Sequence, residues 1–246
     1  MPNGECPNQK VLPTTIPLLW ALGTGHSAFT PPCPVGIMLP HAGQPILTAG
    51  PPPEASRAAM IMLHGRNAGP RNILELAGPL HHPDFCYLAP AAASNTWYPY
   101  SFLAEIQENE PGISSGLYVV DQLVQRLMQA GIAKHRVWLL GFSQGACLAS
   151  TYAVRHADRF GGVIVLSGGL IGPPSTSWDY PGDFAETPVF LGCSETDPHI
   201  PKARVEESAA VFTRMGASVT QRLYPRMGHL VNDDEVESVR GLMAGT

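Results

Sequence analysis

The chain has 246 residues, of which 44% are hydrophobic and only 14% are charged, and its formal net charge is −5. This hydrophobic content excludes an intrinsically disordered chain, and the low charge excludes a long coiled coil. No run of basic residues is present, so we expect no binding to a nucleic-acid backbone. There is also no stretch of about 18 consecutive apolar residues, so we expect no stable insertion into a membrane.

Five cysteines are spread singly along the chain, and no two of them form a C-x-x-C pair. The odd number and the wide spacing argue against a disulfide framework and against a structural zinc site. Cys86, Cys147 and Cys193 lie within apolar runs and are expected to be small buried side chains. The sequence therefore predicts no metal site.

The N-terminal region differs in composition from the rest of the chain. Residues 1–53 hold 12 of the 25 prolines and show no sustained helical or strand period. An apolar run within this region is interrupted by Pro13 and Pro17, which argues against a secretory signal peptide. We predict a Pro-rich extension of uncertain order over residues 1–42 and one domain over residues 43–246. We expect a cytoplasmic location, with secretion or periplasmic export as the alternative.

From about Pro45 onward, short apolar runs alternate with helical stretches. Several of the short runs are apolar at every position, as is typical of strands that are covered on both faces of a parallel sheet. The predicted strands are, in chain order, Pro45–Ala49, Ala59–Leu63, Phe85–Ala89, Val137–Leu140, Gly162–Ser167, Pro188–Gly192 and Val219–Tyr224.

The helical stretches have apolar residues at i, i+3 and i+4, or are small and apolar throughout, and two of them stop at a glycine. The predicted helices are Ile113–Ala130, Ala146–His156, Lys202–Met215 and Asp233–Met243. In the first of these, the apolar stripe consists of Leu117, Val120, Leu123, Val124, Leu127 and Met128. The alternation of strands and helices predicts one α/β domain with right-handed crossovers.

The most specific chemical signal is the pentapeptide G-F-S-Q-G at residues 141–145, which follows a predicted strand and opens a predicted helix. Glycines two residues before and two residues after Ser143 permit the tight turn that exposes a serine hydroxyl at the C-terminal edge of a sheet. The hydroxyl would lie at a helix N-terminus, where free N–H groups stabilise negative charge. Ser143 is therefore the predicted nucleophile.

A serine nucleophile needs a general base and a carboxylate that orients the base. Three histidines follow Ser143: His156 lies within a helix, and His199 comes two residues after Asp197. His229 is the predicted base because it follows the last predicted strand and precedes the last helix, which suits a base carried by a loop. Asp197 is the predicted carboxylate because it follows the end of the strand at residues 188–192. The main competitor is Glu195. Lower-ranked carboxylates are Asp179, Asp183, Asp233 and Asp234.

Acyl transfer also needs N–H donors for the negatively charged oxygen of the tetrahedral intermediate, which together form an oxyanion hole. The backbone N–H of Gln144, the residue after the nucleophile, is the first predicted donor. The second comes from the loop after the strand at residues 59–63, where the N–H of Arg66 follows His64-Gly65. We interpret His64 itself as a structural loop residue.

Taken together, these motifs resemble the phospholipase/carboxylesterase family of α/β-hydrolases, which includes the acyl-protein thioesterases. The resemblance covers residues 43–242, and its L-H-G-R and N-T-W-Y-P motifs are more similar to those of small bacterial carboxylesterases than to those of eukaryotic thioesterases. It is carried by L-H-G-R at 63–66, N-T-W-Y-P at 95–99, G-F-S-Q-G-A at 141–146, D-P-H-I-P at 197–201 and M-G-H at 227–229.

The resemblance implies a catalytic triad of Ser143, Asp197 and His229, with oxyanion donation from the backbones of Arg66 and Gln144. It also implies a single-domain α/β-hydrolase fold with a mostly parallel, twisted sheet of about seven strands. Helices would cover both faces of the sheet, and no large lid would be present.

We therefore expect a serine carboxylesterase that hydrolyses short- to medium-chain esters, including aryl esters, without a cofactor. Its partner would be a small-molecule ester, and homodimer formation is left open. The expected substrate pocket includes Trp97, Tyr98 and Ile200. The alternative for the two aromatic residues is that they only pack their own loop.

Two other functions remain open from the sequence. The first is an acyl thioesterase or lysophospholipase that acts on longer acyl chains, which a hydrophobic channel beside residues 172–174 would favour. The second is a hydrolase fold used only for binding, although such proteins usually lack a member of the triad. Dienelactone hydrolysis is disfavoured because it usually relies on a cysteine at the position of Ser143.

Overall fold

The computed structural model describes residues 39–245 and contains a sheet of seven strands. The strand order is β1-β3-β2-β4-β5-β6-β7, in which β1 pairs antiparallel with β3 and all other pairs are parallel. The strands are β1 (Ile46–Ala49), β2 (Ala58–Leu63), β3 (Phe85–Pro90), β4 (Val137–Phe142), β5 (Gly162–Leu166), β6 (Pro188–Ser194) and β7 (Ser218–Tyr224). The predicted α/β fold with about seven strands is confirmed.

Helices cover both faces of this sheet. Successive side chains of a strand point to opposite sides, so an apolar strand has two faces that need to be covered. The helices are α1 (Pro70–Leu74), α2 (Gly112–Gln129), α3 (Gln144–Arg155), α4 (Lys202–Arg214) and α5 (Asp233–Met243). Along β4, Val137 and Leu139 join one apolar cluster with α2, α3 and α4, whereas Trp138 and Leu140 join a second cluster with α1 and α5. The short helix α1 was not predicted.

Glycines end two of the predicted helices as expected. Gly131 follows α2 with φ +95°, and Gly216 follows α4 with φ +80°, a left-handed conformation in which glycine carries no steric penalty. One prediction on α2 is wrong: Met128 is 43% exposed and lies outside the buried stripe. It follows Leu127 directly, and the helical rotation of 100° per residue turns it towards solvent.

Residues just before the predicted boundary at residue 43 also contact the folded domain. His41 is buried, its Nε2–H donates to the carbonyl of Trp97 at 2.8 Å, and its backbone N–H donates to Ser115 Oγ at 2.9 Å. These bonds fasten the start of the described chain to α2 and to the loop that follows β3. The rest of the predicted extension, up to residue 38, lies outside the described residues.

The order of the strands places two loops side by side. After β2 the chain moves to β3 on one side, and after β4 it moves to β5 on the other side, although β2 and β4 are hydrogen-bonded neighbours. Leu63, the last residue of β2, is paired with Gly141 near the end of β4. Ligands of open α/β sheets bind at such a crevice, beyond the carboxyl ends of the strands.

Within the part of the chain that the structure describes, no large lid interrupts the fold. The segment between β5 and β6, residues 167–187, contains neither a helix nor a strand. Within residues 39–245, no helix combines the length and the apolar character that crossing a membrane requires.

Candidate active site

Ser143 occupies a strained turn between β4 and α3. Its backbone has φ 53° and ψ −119°, values that few residues other than glycine adopt. Two close backbone contacts explain the flanking glycines: a Cβ on Gly141 would overlap the carbonyl of Gly145, and a Cβ on Gly145 would overlap the carbonyl of Leu63. The turn is therefore possible only with glycine at both positions, and it places the serine at the edge of the sheet.

The three side chains predicted for catalysis lie within hydrogen-bonding distance of one another. His229 Nε2 lies 2.8 Å from Ser143 Oγ, and His229 Nδ1 lies 2.7 Å from Asp197 Oδ2. Since a carboxylate only accepts hydrogen bonds, Nδ1 carries the proton and donates it to Asp197. Nε2 is then free to accept the hydrogen bond of the Ser143 hydroxyl.

The carboxylate of Asp197 is held at both oxygens. Its side chain is 0% exposed, and Oδ1 accepts the backbone N–H groups of His199 at 2.8 Å and Ile200 at 3.0 Å. Burial alone would raise the pKa of Asp197. The hydrogen bonds from His229 and from the two backbone N–H groups outweigh that effect, so the pKa lies below its usual value. Asp197 is therefore ionised at neutral pH.

The competing carboxylates lie elsewhere. Glu195 is exposed and approaches Lys202 at 3.9 Å rather than His229. Asp234 accepts hydrogen bonds from Arg222 and Tyr224, both at 2.6 Å. The structure thus brings Asp197, and neither of these alternatives, to the histidine.

The two predicted N–H donors border the same cleft as Ser143. Gln144 is the first residue of α3, so its N–H belongs to the first turn, which has no partner within the helix. The N–H of Arg66 donates to no backbone carbonyl of the described chain. Gly65, its neighbour, lies so close to the nucleophile that a Cβ there would be 3.4 Å from Ser143 Cβ. Both residues therefore lie beside the serine, and their role as oxyanion donors stays a prediction.

The side chain of Gln144 fastens this turn to the loop that follows β3. Its Oε1 accepts the backbone N–H of Trp97 at 2.9 Å, and its Nε2 donates to the carbonyl of Tyr98 at 2.7 Å. The indole of Trp97 in turn donates to the carbonyl of His64 at 3.0 Å. Sequence reasoning considered only the backbone of Gln144. A long polar side chain directly before the small apolar run at residues 145–149 was the available signal for this second role.

His64 supports the loop that contains Arg66. Its Nδ1–H donates to the carbonyl of Gly65 at 2.8 Å, and its Nε2 accepts the backbone N–H of Ala92 at 3.0 Å. Burial lowers the pKa of His64, so the ring stays neutral and keeps one donor and one acceptor. This arrangement agrees with its interpretation as a structural residue.

A cleft of about 510 Å³ opens above Ser143. Its lining consists of Arg66, Asn67, Tyr98, Pro99, Tyr100, Ser101, Phe102, Ser143, Gln144, Cys147, His199, Ile200 and His229. Of the three predicted pocket residues, Tyr98 and Ile200 line the cleft and Trp97 does not. Trp97 is completely buried behind the wall because its indole packs between His41 and His64. The side chains of His199 and Cys147 were not predicted to line the cleft.

Cys86, Cys147 and Cys193 are buried, as predicted. Burial raises the pKa of Cys147 to about 11 and that of Cys193 to about 12. Both thiols therefore remain protonated at neutral pH. Across residues 39–245, no group of three or more His, Cys, Asp or Glu side chains is arranged to hold a metal ion.

Glu235 is a buried acid close to the strand that leads to Asp197. Its Oε2 accepts the backbone N–H of Asn232 at 2.9 Å, and its own N–H donates to Asn232 Oδ1 at 2.8 Å, which caps α5. Oε1 has no hydrogen-bond partner among the described residues and lies against Gly192 of β6. Burial raises the pKa of Glu235 to about 7.

The parallel sheet, the strained serine turn and the hydrogen-bonded Ser-His-Asp arrangement define an α/β-hydrolase fold. The chain matches the model of the Phospholipase/Carboxylesterase family over residues 50–244 and belongs to that family of hydrolases. The crystal structure of a phospholipase/carboxylesterase from Dyadobacter fermentans is similar, with a TM-score of 0.81 and 39% sequence identity. The similarity covers 85% of this chain and 100% of that one. The family predicted from the motifs is confirmed.

Curated relatives include thioesterases and a lysophospholipase-like protein. Acyl-protein thioesterase 1 of Gibberella zeae is 29% identical over 138 residues, which are 55% of this chain and 59% of that protein. Lysophospholipase-like protein 1 of Mus musculus is 28% identical over 149 residues, 60% of this chain and 62% of that protein. The matched region thus spans about three fifths of the length of these relatives.

Proposed function

We propose that the protein is a serine carboxylesterase that hydrolyses short- to medium-chain carboxylic esters, including aryl esters. The observation that carries this proposal is the continuous hydrogen-bonded chain from Asp197 through His229 to Ser143, with 2.7 Å and 2.8 Å between the paired atoms. Such a chain serves to generate a serine nucleophile at neutral pH.

In the first half of the reaction, Ser143 Oγ attacks the carbonyl carbon of the ester, and His229 Nε2 takes the hydroxyl proton. The carbonyl oxygen becomes an oxyanion, which accepts hydrogen bonds from the backbone N–H groups of Arg66 and Gln144. Asp197 stabilises the positive charge that His229 then carries. When the intermediate collapses, the bond to the leaving oxygen breaks, His229 protonates that oxygen, and the alcohol departs.

The second half repeats these steps with water in place of the serine. His229 removes a proton from a water molecule, whose oxygen attacks the carbonyl carbon of the ester formed on Ser143. The second tetrahedral intermediate expels Ser143 Oγ, which recovers its proton from His229, and the carboxylic acid leaves. Side chains and backbone of this chain supply every group that the reaction requires, so the proposal includes no cofactor.

The size and lining of the cleft support the choice of substrate. Its volume of about 510 Å³ falls within the range of about 300–1,000 Å³ that is usual for small-molecule sites. Phe102, Ile200 and the ring of Tyr98 offer apolar surface to an acyl chain or an aryl group. Residues 172–174, beside which a longer channel was considered, do not line the cleft.

A second candidate function is that of an acyl thioesterase or lysophospholipase on longer chains, and the names of the curated relatives favour it. The chemistry on Ser143 would be the same, since a thioester carbonyl accepts the same attack. The two candidates differ in the length of the acyl chain that is preferred and in the leaving group.

The test is a series of p-nitrophenyl esters from acetate to palmitate, with palmitoyl thioesters in parallel, for the wild type and the Ser143→Ala variant. Ser177→Ala, at an exposed serine outside the cleft, is the matched control. We expect an optimum at short or medium chains, loss of activity in Ser143→Ala and full activity in Ser177→Ala. A palmitate or thioester optimum would favour the second candidate. Full activity in Ser143→Ala would refute both.

A further inference from the structure

The walls of the cleft carry groups that can be positively charged and none that is acidic. Arg66, His199 and His229 line the cleft, whereas no aspartate or glutamate does. Asp197 lies behind His229 with a side chain that is 0% exposed, and it is already paired with the histidine. A substrate in the cleft therefore meets the charge of Arg66 without a competing carboxylate on the walls.

Arg66 is the permanent charge among these groups. Its Nη1 donates to the carbonyl of Pro99 at 2.6 Å, its Nη2 donates to the carbonyl of Tyr100, and its guanidinium lies 5.9 Å from the centre of the Tyr98 ring. These contacts hold the guanidinium in place but leave its charge uncompensated, since carbonyls and a ring are neutral. Within residues 39–245, no carboxylate lies within 4.0 Å of Arg66.

The guanidinium also retains hydrogen-bonding capacity. An arginine side chain has five N–H donors, and the two contacts with carbonyls engage two of them. The residue is exposed, so the remaining donors are accessible to a bound molecule. Because the side chain is already ordered, pairing with a carboxylate costs less conformational entropy than pairing with a free surface arginine would.

The position of Arg66 places this charge close to the reacting bond. Its backbone N–H is one of the proposed oxyanion donors, and Gly65 packs against Ser143. The guanidinium is thus separated from the position of the ester carbonyl by the length of the Arg66 side chain. Among the other lining residues, Phe102, Ile200 and Cys147 are apolar and almost fully buried. The cleft therefore combines a buried apolar lining with one exposed cationic side chain.

We propose that the preferred substrates are esters with a carboxylate a few bonds from the scissile carbonyl, held by the Arg66 guanidinium. This inference rests on the proposed esterase function. Two classes of ester fit this description, one with the carboxylate on the acyl part and one with the carboxylate on the alcohol part, and both present an anionic group to Arg66. An arginine with a purely structural role, which only fastens residues 99 and 100, is the alternative.

The experiment compares matched anionic and neutral esters at pH 7.5. The acyl arm pairs mono-4-nitrophenyl glutarate with 4-nitrophenyl pentanoate, and the alcohol arm pairs 4-acetoxybenzoate with 4-acetoxybenzamide. The quantity of interest is the ratio of kcat/KM for the anionic ester to kcat/KM for the neutral ester. We compare the wild type, Arg66→Gln and Arg66→Lys. The control is Arg71→Gln, which removes an equal charge from an exposed position on α1 outside the cleft.

In one of the two arms, we expect Arg66→Gln to lower this ratio about tenfold or more, mainly through a higher KM for the anionic ester. Arg66→Lys should retain part of the preference for the anionic ester, and Arg71→Gln should retain all of it. In the wild type, added salt should weaken this preference. Any structural damage in Arg66→Gln lowers both members of a pair and cancels in the ratio.

An unchanged ratio in both arms would overturn the inference and leave the esterase proposal intact, because the neutral esters would still be hydrolysed. Loss of both members of each pair in Arg66→Gln at a constant ratio would assign Arg66 to loop structure alone. A wild type inactive on all four esters would refute the proposed function itself. The two failures are therefore distinguishable.

Discussion

Gly145 packs so closely against Leu63 that a Cβ at residue 145 would overlap the backbone carbonyl of Leu63. This contact presses the first turn of α3 against the end of β2. Because Ser143 lies just before Gly145 and Arg66 lies just after Leu63, the same contact sets the distance between the nucleophile and a proposed oxyanion donor. A backbone atom cannot rotate away as a side chain can, so the contact leaves no room for adjustment.

Gly145→Ala should therefore unfold the domain or severely destabilise it. We expect the free energy of unfolding to fall by about 3 kcal/mol or more, since the backbone of two elements must shift to relieve the overlap. Gly241→Ala is the control: it lies in α5 with no heavy atom within 4 Å of the added Cβ. It should stabilise the protein by about 0.5–1 kcal/mol through helix propensity. Urea unfolding measures both, and equal stability of the two variants would contradict this interpretation.

The buried side chain of Gln144 offers a second test. Gln144→Met keeps the volume but leaves the N–H of Trp97 and the carbonyl of Tyr98 without their partners. We expect a loss of about 2–4 kcal/mol in the free energy of unfolding, because each buried group without a partner costs about 1–3 kcal/mol. Gln125→Met, on the exposed side of α2, should cost less than about 0.5 kcal/mol. Similar losses in the two variants would show that the loop does not depend on Gln144.

The strands were predictable because most of them are buried on both faces and therefore continuously apolar. The serine turn was predictable as well, since the spacing G-x-S-x-G between a predicted strand and a predicted helix is a local signal, although the contact of Gly145 with Leu63 is long-range. His41 was missed because its partners, Trp97 and Ser115, lie more than 50 residues away. Trp97 was placed wrongly because the sequence around an aromatic residue looks the same whether its side chain faces a cleft or packs behind the wall of one.

Asp197→Asn should abolish most of the activity while the fold is kept. The amide can still accept the N–H groups of His199 and Ile200, but its NH₂ would donate to His229 Nδ1 and force the proton onto Nε2. Nε2 could then no longer accept the proton of Ser143. We expect kcat to fall about 10³- to 10⁴-fold, as for the corresponding change in the serine protease triad.

The matched control for this change is Glu195→Gln, which removes a carboxylate two residues away that does not contact His229. With a short-chain p-nitrophenyl ester as substrate, the kcat of this variant should stay within about twofold of the wild-type value. A twofold change corresponds to only about 0.4 kcal/mol in the activation free energy. A larger effect of Glu195→Gln than of Asp197→Asn would reverse the assignment of the acid.

Glu235 should make the stability depend on pH. Its pKa is about 7 in the folded protein and near 4.5 in the unfolded chain, so the folded state binds more protons between these values. Stability should therefore be highest below pH 4.5 as far as this residue is concerned, and should decrease as the pH rises through 7. The shift corresponds to a penalty on the order of 3 kcal/mol for the ionised form.

Glu235→Gln removes this titration and retains a side-chain oxygen for the N–H of Asn232. The free energy of unfolding of the variant, relative to that of the wild type, should rise by about 2–3 kcal/mol between pH 4.5 and pH 8. Urea unfolding at a series of pH values gives both curves. If the two curves ran parallel over this range, Glu235 would titrate with an ordinary pKa.

The central claim is that His229 activates Ser143 to form a covalent intermediate. The most direct measurement is the labelling of the protein by a fluorophosphonate, which reacts with activated serines, followed by intact-mass and peptide mass spectrometry. We predict one adduct per chain, located on Ser143, with no labelling of Ser143→Ala and strongly slowed labelling of His229→Asn. An adduct on another residue, or labelling of Ser143→Ala at the rate of the wild type, would contradict the account.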